Sequence, residues 1–406
     1  MDKTPDKTPR DVVIVGAART PIGRFMGGLA ALSATQLGAV AVRTAVERAR
    51  IDPASIEEVL VGEVVAAGSG QAPARQVAIG AGLPASVGAV TVNKVCGSGL
   101  KSAMLAASAI KAGDGEAYVA AGMESMSSAP YLLPNGRSGA RYGHTQMLDS
   151  IIQDGLWCPF EDHLMGNSAE FIADKLEVTR EEMDEFALNS HRKAVAAIDA
   201  GKFKAEIAPV EVKDAKGRVT VFDTDEGPRR DTSLEALAKL RPAFKPDGRV
   251  TAGNAPGLND GAAALVLTSR EYAEAHGLTP LAKIVGYTHA AVEPAWLFIA
   301  PARAVPRLLG KIGWSLDEAD LIEINEAFAA QVLADARDLE QHGHAWDWSR
   351  VNVNGGAVAL GHPVGASGAR VLVTLLHALK DRGKQRGIAT LCLGGGEAVA
   401  MAVEVE

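Results

Sequence analysis

Aromatic residues make up only 5% of this 406-residue chain, and cysteine occurs just three times, at widely separated positions. An odd, scattered trio makes no disulfide framework, so a reducing compartment is expected. Neither a CxxC pair nor an HExxH occurs, which argues against a metal site. No uninterrupted apolar run reaches membrane-spanning length. The opening MDKTPDKTPR lacks the apolar segment of a secretory signal. The closing Val-Glu-Val-Glu is no peroxisomal address. Positive charge is also scarce, leaving a formal net charge of −8. Nucleic acid and anionic membranes are therefore not expected as partners, and an anionic ligand would need a local basic pocket. The expectation is a soluble, cytoplasmic protein.

What is plentiful is small and apolar: 47% hydrophobic residues and 43 glycines, enough for a large core and two or three structural units. Residues 91–113, TVNKVCGSGLKSAMLAASAIKAG, organise the rest. They read as a strand, a Gly-flanked turn and a buried helix, with Cys96 at or just before the helix N-terminus. Unpaired N–H groups and the helix dipole favour a thiolate there, so Cys96 is expected to ionise near neutral pH. The glycines are expected to leave open backbone for a substrate carbonyl. A small buried cysteine at a packing contact is the plainer reading.

A repeat follows. LAKIVG (281–286) echoes VVIVG, SLDEADLIEINE (315–326) echoes SIEEVLVGE, and IATLCLGGGE (388–397) answers AYVAAGME. Residues 350–376 repeat the strand, Gly-rich turn and helix around Cys96. Matching blocks in the same order predict two similar α/β halves, and strands alternating with helices predict a mostly parallel, covered sheet. Between them, residues 125–256 change texture: a Ser/Pro/Gly/Asn-rich stretch at 127–142, a charged helix over 179–200 opening like a capping box, and a polar hairpin at 210–223. An insertion of this length is expected to be functional or interfacial.

Reactive groups set among glycines stand at Cys96, at Asn325-Glu326, at His362 and at Cys392. Sites in open α/β sheets gather at strand carboxyl ends, so all four can meet where the halves abut. His362, restricted by Pro363, can take a thiol proton and later polarise a carbonyl. Cys392 before Gly-Gly-Gly suits acid/base work beside exposed backbone N–H groups. An ordinary loop histidine and a small core cysteine are the bland alternatives.

The set NKVCGSGLKSA, NEAFAAQ, NVNGGAVALGHPVGASGAR and CLGGGEAVA resembles the thiolase family closely, as do GAARTPIG, GQAPARQVA, GMESMS, AKLRPAF and TAGNAPGLNDGAAALV. The resemblance runs over roughly residues 10–404. It implies duplicated α/β halves layered α-β-α-β-α with an inserted loop domain. The halves would be residues 1–124, completed by about 257–279, and 280–406, with the insertion at 125–256. It implies an acetyl-CoA C-acetyltransferase that joins two acetyl-CoA into acetoacetyl-CoA plus CoA, reversibly and by ping-pong through an acyl thioester. Cys96 would be the nucleophile, and His362 its activator and, with a water held by Asn325, one oxyanion hole. Cys392 would be the acid/base at C2 of the incoming acyl-CoA. The N–H groups of Cys96 and Gly394 would form the second oxyanion hole, each donor contributing about 3–4 kcal/mol. For CoA the resemblance implies Arg229, Ala252, Pro256, Leu164, Met165 and Phe328. CoA is substrate and product, and no cofactor or metal is implied. A homo-oligomer is implied, a homotetramer or a dimer, with 127–142 resembling a tetramer contact.

The chain departs from the family in places. Pro256 stands where a serine often contacts pantetheine, and it offers neither hydroxyl nor N–H. His163 lies one place early, leaving Leu164 in the usual histidine's column. Leu297-Phe298-Ile299-Ala300-Pro301 replaces a Met-Gly-x-Gly-Pro. Phe298 could narrow a pocket or merely pack against the loop domain. Glu397-Ala398 replaces an apolar residue or Gln and a Gly. A degradative 3-ketoacyl-CoA thiolase for longer chains, a non-catalytic acyl-CoA-binding protein and a thiol redox protein are the competing readings. The intact motif set speaks against the binding protein, a redox protein would need reversible disulfide formation and should not release CoA from acyl-CoA, and Gln71 before Ala72-Pro73 leans toward the biosynthetic side.

Overall fold

The computed structural model of the protein describes residues 10–139, 141–213 and 216–406. Besides the two-residue strand Gly23–Arg24, which pairs at the start of β5, the first half supplies β1 (Val12–Arg19), β2 (Glu58–Gly62), β3 (Gly88–Val92), β4 (Ala117–Ser125) and β5 (Asn259–Ser269). The second supplies β6 (Ala282–Ala291), β7 (Leu321–Ile324), β8 (Arg386–Leu393) and β9 (Glu397–Val405). They hydrogen-bond in the order β7-β8-β9-β6-β1-β5-β4-β2-β3. Read outward from the β1–β6 seam, each half has the same order. The seam itself is brief, pairing Val13 with Lys283 and Ile14 with Ala282.

Period-two patterning explains why both sheet faces are buried. Along β1, Val12 and Ile14 enter a central core, whereas Val13 and Val15 enter an outer one. The central core packs Leu100, Met104 and Ile110 of helix Ser98–Ala112 with Leu372, Leu375 and Leu376 of helix Val364–Arg382. Leu265 and Leu267 of β5 and Met401 and Val403 of β9 close it on either side. Outer layers follow: helix Ala34–Ala49 covers the first half, and helices Pro301–Ile312 and Ala329–Gln341 cover the second. The stack is α-β-α-β-α.

The two central helices approach backbone to backbone. A Cβ on Gly99 would lie 2.5 Å from the Ala369 nitrogen, and one on Gly368 would lie 2.4 Å from the Leu100 nitrogen. Both glycines serve close packing, and Gly99 does not leave the open backbone for substrate expected of the glycines beside Cys96.

The sheet is mixed rather than mostly parallel. Among the described strands of this sheet, only β2–β3, β2–β4 and β7–β8 run parallel. The returning strands β5 and β9 lie antiparallel to β4 and β8, and the seam is antiparallel too. In the second half the strand expected near 350 shrinks to one bridge, Ile322 to Val351. β8 and β9 are joined by a three-glycine turn, whereas residues 126–258 join β4 to β5. That segment carries helix Arg180–Asp199, with Thr179 and Glu182 forming a capping box, and a hairpin pairing Val210–Lys213 with Val219–Phe222. Among the described residues no helix is long and apolar enough to cross a membrane.

Candidate active site

Cys96 sits on a tight turn at the end of the chain segment that follows β3. Val95, a β-branched residue, is held at φ 46°, an uncommon and costly conformation. Ser98 stabilises the turn: its hydroxyl accepts from the Lys94 N–H at 2.8 Å and donates to the Val95 carbonyl at 2.6 Å. Helix Ser98–Ala112 starts immediately after the Gly97 N-cap. Burial nevertheless pushes the Cys96 thiol up to about 11, against the pull of the Gly394 and Cys96 backbone N–H groups; the nearby Glu124 adds to the rise. The expected ionisation near neutral pH is thus overturned. Desolvation outweighs the helix terminus, and the thiol needs a base.

His362 supplies a lone pair. Its backbone N–H donates to Asn259 Oδ1 at 2.9 Å, fixing the turn that opens helix Val364–Arg382. The Ser367 hydroxyl donates to the Pro363 carbonyl at 3.0 Å and lies 2.6 Å from His362 Nδ1. With its only proton engaged, Ser367 Oγ accepts, so Nδ1 carries the ring proton and Nε2 is bare. Asn325 Nδ2 faces that Nε2 at 3.4 Å. Burial, helped by the Arg370 guanidinium, holds the imidazole down at about 3, so it is neutral near pH 7. Asn325 is fully buried, and its Oδ1 has no hydrogen-bond partner among the described residues.

Cys392 is the penultimate residue of β8 and is 1% exposed. Burial, with Cys96 and Asp335 nearby, pushes its thiol well above the ordinary range. The turn beyond it holds Gly395 at φ 88° and Gly396 at φ 89°, conformations that suit glycine. That geometry delivers the Gly394 N–H to the Cys96 sulfur.

Cys96, His362, Cys392 and Gly394 line one largely apolar cavity of ≈ 440 Å³. Leu164, Met165, Ala252, Pro256 and Phe328 line the same space. Asn325 stands behind the wall and reaches the site through His362. Arg229 lines a neighbouring pocket of ≈ 230 Å³ with Arg24 and His191, sharing Ala252, Ala255, Gly257 and Leu258 with the first cavity. Arg230 instead pairs with Asp199 at the surface, at 2.6 Å. The displaced His163 bonds Ser168 at 2.8 Å and is not part of the cavity wall.

Sequence reasoning missed the supports. Ser367, which fixes the His362 tautomer, stands five residues on in the same motif. Glu124 accepts from Gly365 at 2.9 Å and from Val64 and Val65 at 3.2 Å, tying the histidine's helix to the first half. Among the described residues no group of three or more His, Cys, Asp or Glu is placed to hold a metal.

The family model described as Thiolase, N-terminal domain matches residues 12–271, and that for Thiolase, C-terminal domain matches 278–405. The chain belongs to the thiolase family. An acetyl-CoA acetyltransferase of Pseudomonas aeruginosa is 56% identical over 392 residues, 97% of this chain and 98% of its own. One from Cupriavidus necator is 53% identical over 394 residues, 97% and 99% of the two chains. The solved acetyl-CoA acetyltransferase of Syntrophomonas wolfei superposes with a TM-score of 0.96 at 44% identity, covering 98% of this chain and all of that one. This thiolase-family chain therefore matches such proteins over 97–98% of its length.

Proposed function

We propose that the protein is an acetyl-CoA C-acetyltransferase, interconverting two acetyl-CoA with acetoacetyl-CoA plus CoA. The observation that carries the reading is the convergence of two thiols, a bare imidazole nitrogen and the Gly394 N–H on one apolar cavity. Names of relatives more than 50% identical over nearly the whole chain support it.

The residue roles follow from protonation at rest, when both thiols and His362 are neutral. His362 Nε2 takes the Cys96 proton as the sulfur attacks the acetyl thioester carbonyl. Cys392 gives its proton to the departing CoA sulfur and becomes the thiolate. That thiolate removes a C2 proton from the second acetyl-CoA, whose carbanion attacks the acetyl group on Cys96. The tetrahedral intermediate expels the Cys96 sulfur, which recovers its proton from His362, and both thiols return to their starting state. The N–H groups of Cys96 and Gly394 serve one oxyanion, and His362 with an Asn325-held water serves the other. Pantetheine would lie along Leu164, Met165, Ala252, Pro256 and Phe328, with the CoA phosphates toward Arg229. CoA is substrate, and no further cofactor is required. In the same reading the halves are 1–124 with 257–279, and 280–406, and loop domain 125–256 binds CoA. In this reading the enzyme is cytoplasmic and a homo-oligomer, a homotetramer or a dimer, and the loop that exposes Tyr131 and Leu133 would carry the tetramer contact.

The test is CoA-dependent cleavage of acetoacetyl-CoA beside six- to ten-carbon 3-ketoacyl-CoA, with intact protein and Cys96→Ala. Cleavage of the short substrate, lost in the variant, is expected. Equal or better cleavage of long chains would make it a degradative thiolase, and no cleavage at all would leave a binding protein.

A further inference from the structure

The apolar end of the cavity is walled by three phenylalanines. Phe298 meets Phe328 edge-on, ring centroids 5.4 Å apart, and Phe328 meets Phe244 edge-on at 6.3 Å. All three line the cavity, and Phe298 is only 3% exposed. Phe298 and Cys392 belong to one apolar cluster, so this wall stands on the side of the second thiol.

The wall is fixed rather than hinged. Phe298 lies on the short turn Pro294–Ile299, and that turn is anchored at both ends and from behind. The Val292 N–H donates to the Gly396 carbonyl at 2.7 Å, joining the turn to the glycine loop beyond Cys392. At the far end, the Ala302 N–H donates to Asp335 at 3.1 Å and anchors the helix that follows. Behind, Trp296 meets Phe171 of helix Met165–Lys175 edge-on at 5.4 Å. On the facing side, Gly166 admits the Phe244 ring, which a Cβ there would approach to 2.3 Å. A rigid ring in a tightly packed wall excludes methylenes, because the surroundings do not yield to make room.

We infer that Phe298 is the chain-length determinant, closing the Cys392 side of the cavity so that only short acyl groups, of two to four carbons, react well. This rests on the acetyltransferase reading and adds to it a residue and a substrate limit. A pocket that discriminates by one methylene does so by about 10–200-fold, so removing a whole ring should be plainly visible.

The experiment measures kcat/KM for thiolysis of acetoacetyl-CoA and of 3-ketooctanoyl-CoA in the intact chain, Phe298→Ala and Phe298→Leu. The expected result is an eight-carbon to four-carbon ratio raised about tenfold or more by Phe298→Ala, and raised less by Phe298→Leu. A ratio unmoved in folded variants overturns the inference while leaving the acetyltransferase reading intact. An intact chain that already prefers the eight-carbon substrate overturns both. If Phe298→Ala does not fold, Phe298→Leu decides alone: no rise in its ratio overturns the inference.

Discussion

The same connection is made twice in this fold, with opposite economy. β8 passes to β9 through Gly394, Gly395 and Gly396, whereas β4 passes to β5 through residues 126–258. The short turn brings chemistry: it follows Cys392 and aims the Gly394 N–H at the Cys96 sulfur. The long one brings a wall, since Leu164, Met165, Phe244, Ala252 and Pro256 all come from it. Duplication thus yields a scaffold with two equivalent places, one kept tight beside the two thiols and one expanded into a wall of the cavity, the part the proposed function assigns to substrate. Neither half alone contains the site, because Cys96 belongs to the first and His362 and Cys392 to the second.

The largest effects should come from removing the two thiols separately. Cys96→Ala should abolish both acetylation and turnover. Cys392→Ala should lower overall turnover by about 10²–10⁴-fold while still acquiring an acetyl group on Cys96. Intact-mass spectrometry after incubation with acetyl-CoA distinguishes the two. An acetylated Cys96→Ala, or a Cys392→Ala that cannot be acetylated, would reverse the assignment. A smaller effect concerns resting protonation. With the Cys96 thiol raised to about 11, its thiolate fraction grows with pH throughout the neutral range. Alkylation of Cys96 by iodoacetamide should therefore rise about tenfold per pH unit from pH 7 to 9, without a plateau. A plateau near neutrality would mean that the helix terminus, not burial, controls the thiol.

That conflict marks where the sequence stopped being legible. The repeat, the strands and the helix Arg180–Asp199 with its Thr179 cap are local patterns, and each can be read from neighbouring residues. The convergence of Cys96, His362 and Cys392 was readable because equivalent turns of a duplicated sheet fall at one end. Strand direction was not, since alternation of strand and helix looks the same whether the next strand runs parallel or returns. Nor was the state of the Cys96 thiol, which depends on groups brought from Gly394 and Glu124. Phe298 was equally ambiguous until Phe328 and Phe244 stood beside it.

The subtlest test of the contrast between the tight and the long connection lies in a residue pair that straddles the tight one. Lys94, two residues before Cys96, pairs with Glu397, the residue after the glycine turn, at 2.6 Å. The pair spans the two turns whose N–H groups meet at the sulfur, and it is partly exposed, with side-chain exposures of 22% and 34%. Exposed pairs contribute about 0.2–1 kcal/mol, so Glu397→Gln should barely change thermal stability. Its effect should instead fall on kcat, lowered about two- to fivefold with KM little changed, because small displacement of donors that act mainly on the transition state costs rate and not binding. The single reversals Lys94→Glu and Glu397→Lys should lower kcat in the same way, and the double variant that carries both should lose less than the product of the two, as a coupled pair requires. If the double variant is as slow as the product of the single effects, the pair is a surface contact and the glycine turn positions its donor unaided.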